Sequence, residues 1–157
     1  MPINRRAVRA VLLSEQHEIL LIHVIEPASQ NAFWLLPGGG IEADEQPIEG
    51  LQRELLEEVG FSFDIGPQIW HRSHEFSWDG RQILQNEQIF LVPVKTFNPT
   101  TINMPDQGEI DSFNGFGWWS LSALEQSTET FVPRELARLL RQLVEAGPPQ
   151  KSIAIGP

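Results

Sequence analysis

The sequence predicts an α/β fold in a single domain, and three observations support this prediction. The chain of 157 residues is long enough to bury a hydrophobic core, and no internal repeat or second composition regime divides it. Strand-like runs rich in branched and aromatic residues fill much of the chain. Residues 47–59 and 133–146 have instead the apolar spacing of amphipathic helices. We expect one domain over residues 1–147 and a loose tail over 148–157.

The strands are predicted from apolar runs bounded by turn residues. Four such runs suggest two hairpins, residues 7–13 with 19–25 and residues 68–78 with 82–94. Asp79-Gly80 between the second pair is typical of a tight hairpin turn. A further strand is expected over 116–120, followed by a short helix from about Ser122. The polar segment 98–114 between these elements predicts a mobile loop over the site.

The helix over residues 47–59 has one apolar and one acidic face. Pro47 suits a first helical position, and Gly60 suits the left-handed conformation that follows a last turn. An apolar stripe is expected to face the core and consists of Ile48, Leu51, Leu55 and Val59. The acidic residues are expected to point away from that stripe.

Three glutamates stand close together on this helix. Glu54, Glu57 and Glu58 are spaced at i, i+3 and i+4, so their carboxylates lie near each other and repel unless something neutralises them. A hard divalent cation is the natural neutraliser of clustered carboxylates. Arg53 precedes Glu57 by four residues and is expected to orient a ligand carboxylate by a charge-assisted hydrogen bond.

The segment from Gly39 to Phe61 resembles the signature of the Nudix hydrolase family. The matching positions are Gly39, Glu45, Arg53, Glu54, Leu55, Glu57, Glu58, Gly60 and Phe61. Asp44 stands where many members have glycine, at a position outside the fixed set. The resemblance implies the Nudix fold, a mixed β-sheet sandwiched between α-helices. It also implies hydrolysis of a nucleoside diphosphate linked to another group, without indicating which nucleotide.

The resemblance further implies a Mg²⁺ site, with Mn²⁺ as an alternative ion. The expected metal ligands are Glu54, Glu57 and Glu58, joined by the carbonyl of Gly38, whereas Glu45 is expected to be structural or an outer contact. Together with Arg53 and Glu109, the three ligand glutamates form the candidate catalytic set.

The general base remains open among three alternatives. Members of the family differ in using a glutamate of the signature or a more distant one. Outside the signature, the candidates are Glu109 in the loop before Trp118 and Glu87 in the strand-like run 87–92. Glu109 is preferred by resemblance, because a lone glutamate on a strand usually faces solvent.

Substrate selectivity is expected to come from residues outside the signature. Strand alternation puts Trp70, Arg72 and His74 on one face, where basic and aromatic groups suit a nucleotide. Arg9 in the first strand is a further candidate for phosphate contacts, as is Arg6. The last helix has a core stripe of Leu136, Leu139, Leu140, Leu143 and Val144. Its other side carries Arg134, Arg138 and Arg141, for which a solvated face is the preferred interpretation.

Charge and composition limit the partners. The formal net charge is -10 and only two lysines occur, which argues against an extended nucleic-acid interface. Disulfides and thiol catalysis are excluded because the chain has no cysteine. No secretion signal or transmembrane stretch is seen, so we expect a cytoplasmic enzyme that acts on a small nucleotide and does not bind membranes. The oligomeric state stays open, with a homodimer as one alternative.

Two other functions compete with nucleotide hydrolysis. One is removal of a 5′ pyrophosphate from RNA, which the acidic charge opposes. The other is a catalytically silent module that senses nucleotides, although none of the signature residues is degenerate.

Overall fold

The computed structural model describes residues 1–104 and 111–157. Nine strands of these residues form one sheet: β1 Ile3–Ser14, β2 Glu18–Ile25, β3 Ala32–Leu35, β4 Gly38–Gly40, β5 Gln68–Trp78, β6 Arg81–Val94, β7 Phe113–Ser120, β8 Phe131–Val132 and β9 Ile153–Ala154. The helices considered below are α1 Pro47–Val59, α2 Leu121–Gln126 and α3 Leu136–Ala146. None of the helices in this part of the chain is long and apolar enough to cross a membrane.

The sheet is mixed and has β1 near its centre. Its strand order is β8-β3-β2-β1-β6-β5-β9, with β4 paired to β1 and β7 paired to β2. β1 runs parallel to β6 along its whole length and antiparallel to β4. The expected first hairpin pairs at Leu13 and Ile19, beside the turn. The two strands then take different partners, so a cleft opens between β1 and β2.

Two hydrophobic clusters lie on opposite faces of the sheet. One contains the apolar residues of α1, Leu51, Leu55 and Val59. The other contains Leu124 of α2 and the stripe of α3. Alternate residues of β1 join the two clusters, since strand side chains point in turn to each face. The predicted arrangement of a mixed sheet between helices is confirmed.

Helix α1 has the bounds that its sequence predicts. Pro47 is its first residue, and Glu49 accepts a hydrogen bond from the backbone N–H of Gln46 at 3.1 Å. Gly60 ends the helix with a φ of 94°, in the left-handed region that glycine tolerates. The apolar stripe is buried except for Ile48, which is exposed because it lies in the first turn, outside the cluster beneath α1.

The second predicted hairpin is formed by β5 and β6. Asp79 and Gly80 both have positive φ, as a tight two-residue turn requires, and Trp78 pairs with Arg81 across it. This turn sets the register of the whole hairpin, so Arg72 lies opposite Glu87 and His74 opposite Gln85.

The expectation of a loose tail over residues 148–157 is wrong. Strand β9 pairs in parallel with β5, with Ile153 opposite Trp70. Ile155 donates its N–H to the carbonyl of His71 at 2.9 Å, and its side chain packs against the core. The edge of β5 offers unpaired backbone groups, and the tail satisfies them. A stretch bounded by Gly147 and two prolines gives no local sign of this distant pairing.

Two other elements differ from their predicted bounds. Strand β7 begins at Phe113, three residues earlier than expected, because that end pairs with β2. Helix α3 begins at Leu136 rather than Pro133. Residues 105–110 of the predicted loop lie outside the described part of the chain.

Candidate active site

The candidate site forms where β4 meets α1. Gly38 has a φ of 144°, and a Cβ atom there would lie 2.0 Å from the carbonyl oxygen of Val8. A Cβ on Gly39 would lie 2.4 Å from Oε2 of Glu54. Gly38 therefore lets β4 pack closely against the backbone of β1, and Gly39 lets β4 pass directly over the carboxylate of Glu54.

Arg53 holds three carboxylates of the signature. Its Nε and Nη2 donate to Oε2 and Oε1 of Glu45 at 2.6 and 2.8 Å, a two-pronged geometry. Its Nη1 lies 3.1 Å from Oε1 of Glu54 and 3.2 Å from Oε2 of Glu57. Nη2 also donates to the carbonyl of Gly40 at 3.0 Å. Arg53 thus contacts two of the candidate ligand glutamates, and its orienting role stays a prediction.

Glu45 is a structural member of this cluster. Hydrogen bonds from Arg53, and then the backbone N–H of Glu42, lower the pKa of Glu45 to about 2. The hydrogen bonds to Glu45, followed by the charge of and hydrogen bond to Glu54, raise the pKa of Arg53 although burial lowers it. Both groups are therefore charged at neutral pH, and Glu45 fixes the guanidinium that reaches the ligand glutamates.

The three candidate ligand glutamates have different environments. Glu54 is buried, contrary to the expectation that all the acids point away from the core, because the glycines of β4 cover it. Glu58 accepts the N–H of Gly38 at 2.9 Å. Glu57 is held by Arg53, whereas Glu54, Glu58, Gly38 and Gly39 line the cleft.

The oxygens of this donor set suit a divalent cation in charge and chemistry, although their positions in the described part of the chain do not form a metal site. Carboxylate and carbonyl oxygens are the ligands that hard cations prefer. A single positive nitrogen, Nη1 of Arg53, already lies between oxygens of Glu54 and Glu57. Within the described residues, however, no three acidic or histidine side chains are arranged so that they could together hold a metal ion. The Gly38 carbonyl accepts Nη1 of Arg9 at 3.2 Å and keeps a second lone pair.

A cleft of about 820 Å³ extends from these glycines between the diverging strands. Its size is in the range of small-molecule binding sites. Phe33 on one wall and Trp78 on the other have ring centroids 6.4 Å apart and meet edge to face. Glu26 accepts the N–H of Asp79 at 2.6 Å, a contact that ties the two walls together.

A buried ionic cluster lies in the cleft around Glu87. Oε1 of Glu87 accepts Nε of Arg72 at 2.7 Å, and Oε2 lies 3.4 Å from Nε of Arg9. Oε2 also accepts Nε2 of Gln85 at 2.5 Å. Arg9 links this cluster to β4, since its Nη1 donates to the carbonyls of Leu36 and Gly38. The expectation that a glutamate at this strand position faces solvent is wrong, because the cleft side of β6 is enclosed.

These contacts make Glu87 a weak proton acceptor. Burial raises its pKa, but the contact with His74, the charges of Arg9 and Arg72 and the hydrogen bond from Arg72 lower it more and hold the pKa well below its usual range. A carboxylate stabilised in this way takes up a proton reluctantly, so Glu87 fits a positioning role better than that of general base. Glu109, the preferred base, lies outside the described residues.

The structure separates the candidate substrate-binding residues. Arg9, Arg72 and His74 line the cleft, whereas Trp70 is buried in the cluster beneath α3. Trp70 is on the predicted face of β5, but it packs in the core and has the structural role that is usual for an aromatic residue on a strand. Among the arginines near α3, Arg134 lines the cleft, while Arg138 and Arg141 pair with glutamates on the surface.

Sequence reasoning missed Gln85 and Arg5, which also line the cleft. A signal for Gln85 was present, because the Asp79-Gly80 turn fixes the hairpin register and alternation then puts Gln85 beside Glu87. For Arg5, which lies over Gly40, no local signal exists, since β1 and β4 are distant in sequence.

Comparison with known proteins identifies the class to which this fold and site belong. The model of the NUDIX domain matches residues 3–142. The chain therefore belongs to the Nudix hydrolase family, enzymes that act on pyrophosphate bonds of nucleotide derivatives and generally use divalent metal ions. The resemblance first seen between Gly39 and Phe61 is confirmed.

Particular relatives resemble parts or all of the chain. It is 29% identical over 113 residues to an RNA pyrophosphohydrolase of Helicobacter pylori, covering 63% of this chain and 69% of the relative. It is 47% identical over 53 residues to the human 8-oxo-dGDP phosphatase NUDT18, covering 34% of this chain and 16% of the relative. The MutT protein from Methanosarcina mazei Go1 shares the fold, with a TM-score of 0.70, 20% identity, and coverage of 92% of this chain and 97% of that one.

Proposed function

We propose that this protein hydrolyses a diphosphate linkage in a nucleoside diphosphate derivative with the help of Mg²⁺, with Mn²⁺ as the alternative ion. The substrates in view are nucleoside triphosphates, dinucleoside polyphosphates and nucleotide sugars. The products are a nucleoside monophosphate and pyrophosphate or a phosphorylated remainder. One observation carries the proposal: Arg53 and the β4 backbone hold Glu54 and Glu58 at one end of a nucleotide-sized cleft, and Arg53 also binds Glu57.

Glu54, Glu57 and Glu58 are the proposed metal ligands, with the Gly38 carbonyl. A bound Mg²⁺ would offset the charge of the diphosphate and make an attacking water more acidic. Arg53 orients Glu54 and Glu57 through one nitrogen and is itself fixed by Glu45. The burial of Glu54 beneath Gly39 supports a defined ligand position rather than a solvated acidic surface.

The cleft supplies groups that suit the rest of a nucleotide. Arg9 presents its guanidinium beside β4, where phosphate charge is expected, and Arg72 lines the cleft on β5. Phe33, Phe76 and Trp78 are half-buried and line the cleft, which gives a planar base surfaces to stack on. Net acidity of the chain is compatible with this arrangement because Arg5, Arg9 and Arg72 line the same cleft as the acidic residues.

Glu109 is the proposed general base, with a glutamate of α1 as the alternative. The proposal rests on the family pattern and on the engagement of Glu87 by two arginines, which lowers its proton affinity.

A second candidate is removal of a 5′ pyrophosphate from RNA. The observation in its favour is the similarity to relatives named RNA pyrophosphohydrolase, at 29% identity in Helicobacter pylori. The net charge of -10 opposes it, since contacts to an RNA backbone need clustered lysine and arginine. We therefore prefer a small nucleotide.

The test is Mg²⁺-dependent turnover on a panel of canonical and oxidised nucleoside triphosphates, dinucleoside polyphosphates, nucleotide sugars and 5′-triphosphorylated RNA. Phosphorus NMR would resolve the products and hence the cleaved bond. Glu57→Gln should lose activity, whereas Glu15→Gln, in the exposed turn between β1 and β2, should keep it. Metal binding without turnover on any substrate would reject the hydrolase proposal in favour of a silent sensing module.

A further inference from the structure

Four polar side chains form a row in the cleft on neighbouring strands. Arg72 and His74 of β5 lie opposite Glu87 and Gln85 of β6, so the four form two adjacent cross-strand pairs on one face. Arg72 and Gln85 are buried, with 5% and 1% of their surfaces exposed. Each of these two also carries a buried side-chain atom that makes no hydrogen bond within the described residues, Nη1 of Arg72 and Oε1 of Gln85.

The orientation of the Gln85 amide is fixed by its neighbour. Its Nε2 lies 2.5 Å from Oε2 of Glu87. The ionised carboxylate of Glu87 only accepts hydrogen bonds, so the amide nitrogen must face it and the amide oxygen must point elsewhere. Oε1 of Gln85 is therefore a buried acceptor that requires a donor from outside the row.

The orientation of Arg72 is fixed in the same way. Nε donates to Glu87, and Nη2 lies 2.8 Å from Nε2 of His74. A guanidinium has only donors, so Nε2 of His74 accepts this hydrogen bond. Nη1 of Arg72 is left as a donor without an acceptor. Buried polar groups normally have hydrogen-bond partners, and a buried group that lacks one destabilises the protein.

We propose that Arg72 and Gln85 form a specificity subsite for the nucleoside. The subsite binds an uncharged edge of the nucleoside on which a hydrogen-bond donor lies beside an acceptor. The acceptor on the ligand would accept a hydrogen bond from Nη1 of Arg72, and the donor on the ligand would donate one to Oε1 of Gln85. This subsite rests on the proposed function and deepens it by assigning recognition of the nucleoside rather than the phosphates. Glu87 is the positioning residue, since it orients both side chains.

A phosphate does not match this pair of groups. At neutral pH a diphosphate offers acceptors and negative charge, which suit Arg72 but place oxygen against the lone pairs of Gln85. The edge of a nucleobase offers a donor beside an acceptor, and a ribose hydroxyl offers both in one group. Either of these groups can therefore bond to both Nη1 of Arg72 and Oε1 of Gln85. The aromatic residues Phe33, Phe76 and Trp78 line the same cleft and favour the nucleobase as the source.

The test is equilibrium binding of AMP, GMP, CMP and UMP, measured by calorimetry without metal so that no turnover occurs. Gln85→Leu should lower the affinity for the most tightly bound of these nucleotides by about tenfold. It should leave the affinity for inorganic pyrophosphate unchanged. Gln88→Leu is the matched control, because Gln88 lies on β6 beyond this row and bonds to Gln68 at 3.1 Å. An equal loss for pyrophosphate, or no loss for any nucleotide, would overturn the subsite.

Ligand analogues test the same contact on the unaltered protein, so the result does not depend on the folding of a variant. An analogue lacking the exocyclic groups of the base should bind about tenfold more weakly if the base is the source. A 2′,3′-dideoxy analogue should bind about tenfold more weakly if the ribose hydroxyls supply the donor and acceptor. Unchanged affinity for both analogues would refute the proposal.

The two proposals fail in different ways. Nucleotide binding that depends on Gln85, together with an absence of turnover when Mg²⁺ is added, would reject the hydrolase and retain the subsite. Turnover whose KM is unchanged by Gln85→Leu and is the same for both analogues would reject the subsite and retain the hydrolase.

Discussion

The guanidinium of Arg53 and the carboxylate of Glu45 form a two-pronged ion pair, with distances of 2.6 and 2.8 Å between their paired atoms. Glu45 belongs to the loop that follows β4, whereas Arg53 lies in the middle of α1. The pair leaves Nη1 of Arg53 free to contact Glu54 and Glu57. A loop carboxylate thus sets the position of the arginine that orients the proposed metal ligands.

Arg53→Lys should lower both stability and activity, although it keeps the charge. An ammonium lacks the planar fork, so the bonds to Glu45 and to the Gly40 carbonyl are not all retained. We expect a loss of about 2 kcal/mol in the free energy of unfolding. Metal affinity or turnover should fall about ten- to hundredfold. Urea unfolding and Mg²⁺ titration of the rate measure the two effects, and near-normal values of both would contradict the orienting role.

Glu57→Gln should abolish most activity while leaving the fold intact. Glu57 is half-buried and bound to Arg53, so an amide of the same shape is accommodated. Removing one ligand charge should cost about 4 kcal/mol of transition-state stabilisation, roughly a thousandfold in rate. The measurement is kcat at saturating Mg²⁺, with thermal unfolding as the check on folding. Turnover close to that of the unaltered protein would reject Glu57 as a metal ligand.

The contribution of Glu45 to stability should vanish in acid. Its pKa is about 2 in the folded protein against an ordinary value of 4.5, so the stabilisation is complete above pH 4.5. It is lost as the pH falls towards 2, because the unfolded chain takes up the proton first. Allowing for screening by solvent, we expect about 1–2 kcal/mol.

Urea unfolding of the protein and of Glu45→Gln at several pH values between 7 and 2 measures this contribution. The difference in unfolding free energy between the two should shrink across the acid range. Glu15→Gln, in an exposed turn, controls for the loss of one carboxylate. A difference that stays constant down to pH 2 would exclude the ion pair as its source.

Glu87→Gln should destabilise the protein and weaken substrate binding without removing a catalytic base. The change leaves the buried guanidinium of Arg72 without its counter-charge, at a cost of about 3 kcal/mol. KM should rise, since Arg72 and Gln85 lose their common anchor. The acid limb of the pH–rate profile should stay in place. Loss of that limb, with KM unchanged, would instead make Glu87 the base.

Glu109→Gln should slow turnover and spare metal affinity, as expected for a general base outside the ligand set. Asp106→Asn, a neutralised acid in the same segment, serves as the matched control. The pH–rate profile and the Mg²⁺ dependence of the rate are the measurements. An unchanged profile and rate would remove Glu109 and leave a glutamate of α1 as the base.

Local sequence determined α1, the Asp79-Gly80 hairpin and the core stripe of α3. In each case the physical cause acts within a few residues: a proline and a glycine bound α1, and positive φ values form the turn. The periodicity of the leucines then marks the buried face of α3. The spacing of the glutamates likewise indicated a cation site, because neighbours on a helix are fixed by its geometry.

Tertiary structure alone decided the burial of Glu87, the core position of Trp70 and the docking of the tail on β5. Each depends on a partner distant in sequence, such as Arg9 of β1 for Glu87. Alternation along a strand shows which side chains share a face, but the covering of that face depends on how other segments pair and pack. The sequence therefore determined the proposed catalytic helix, whereas pairing between distant strands decided which polar side chains form the cleft.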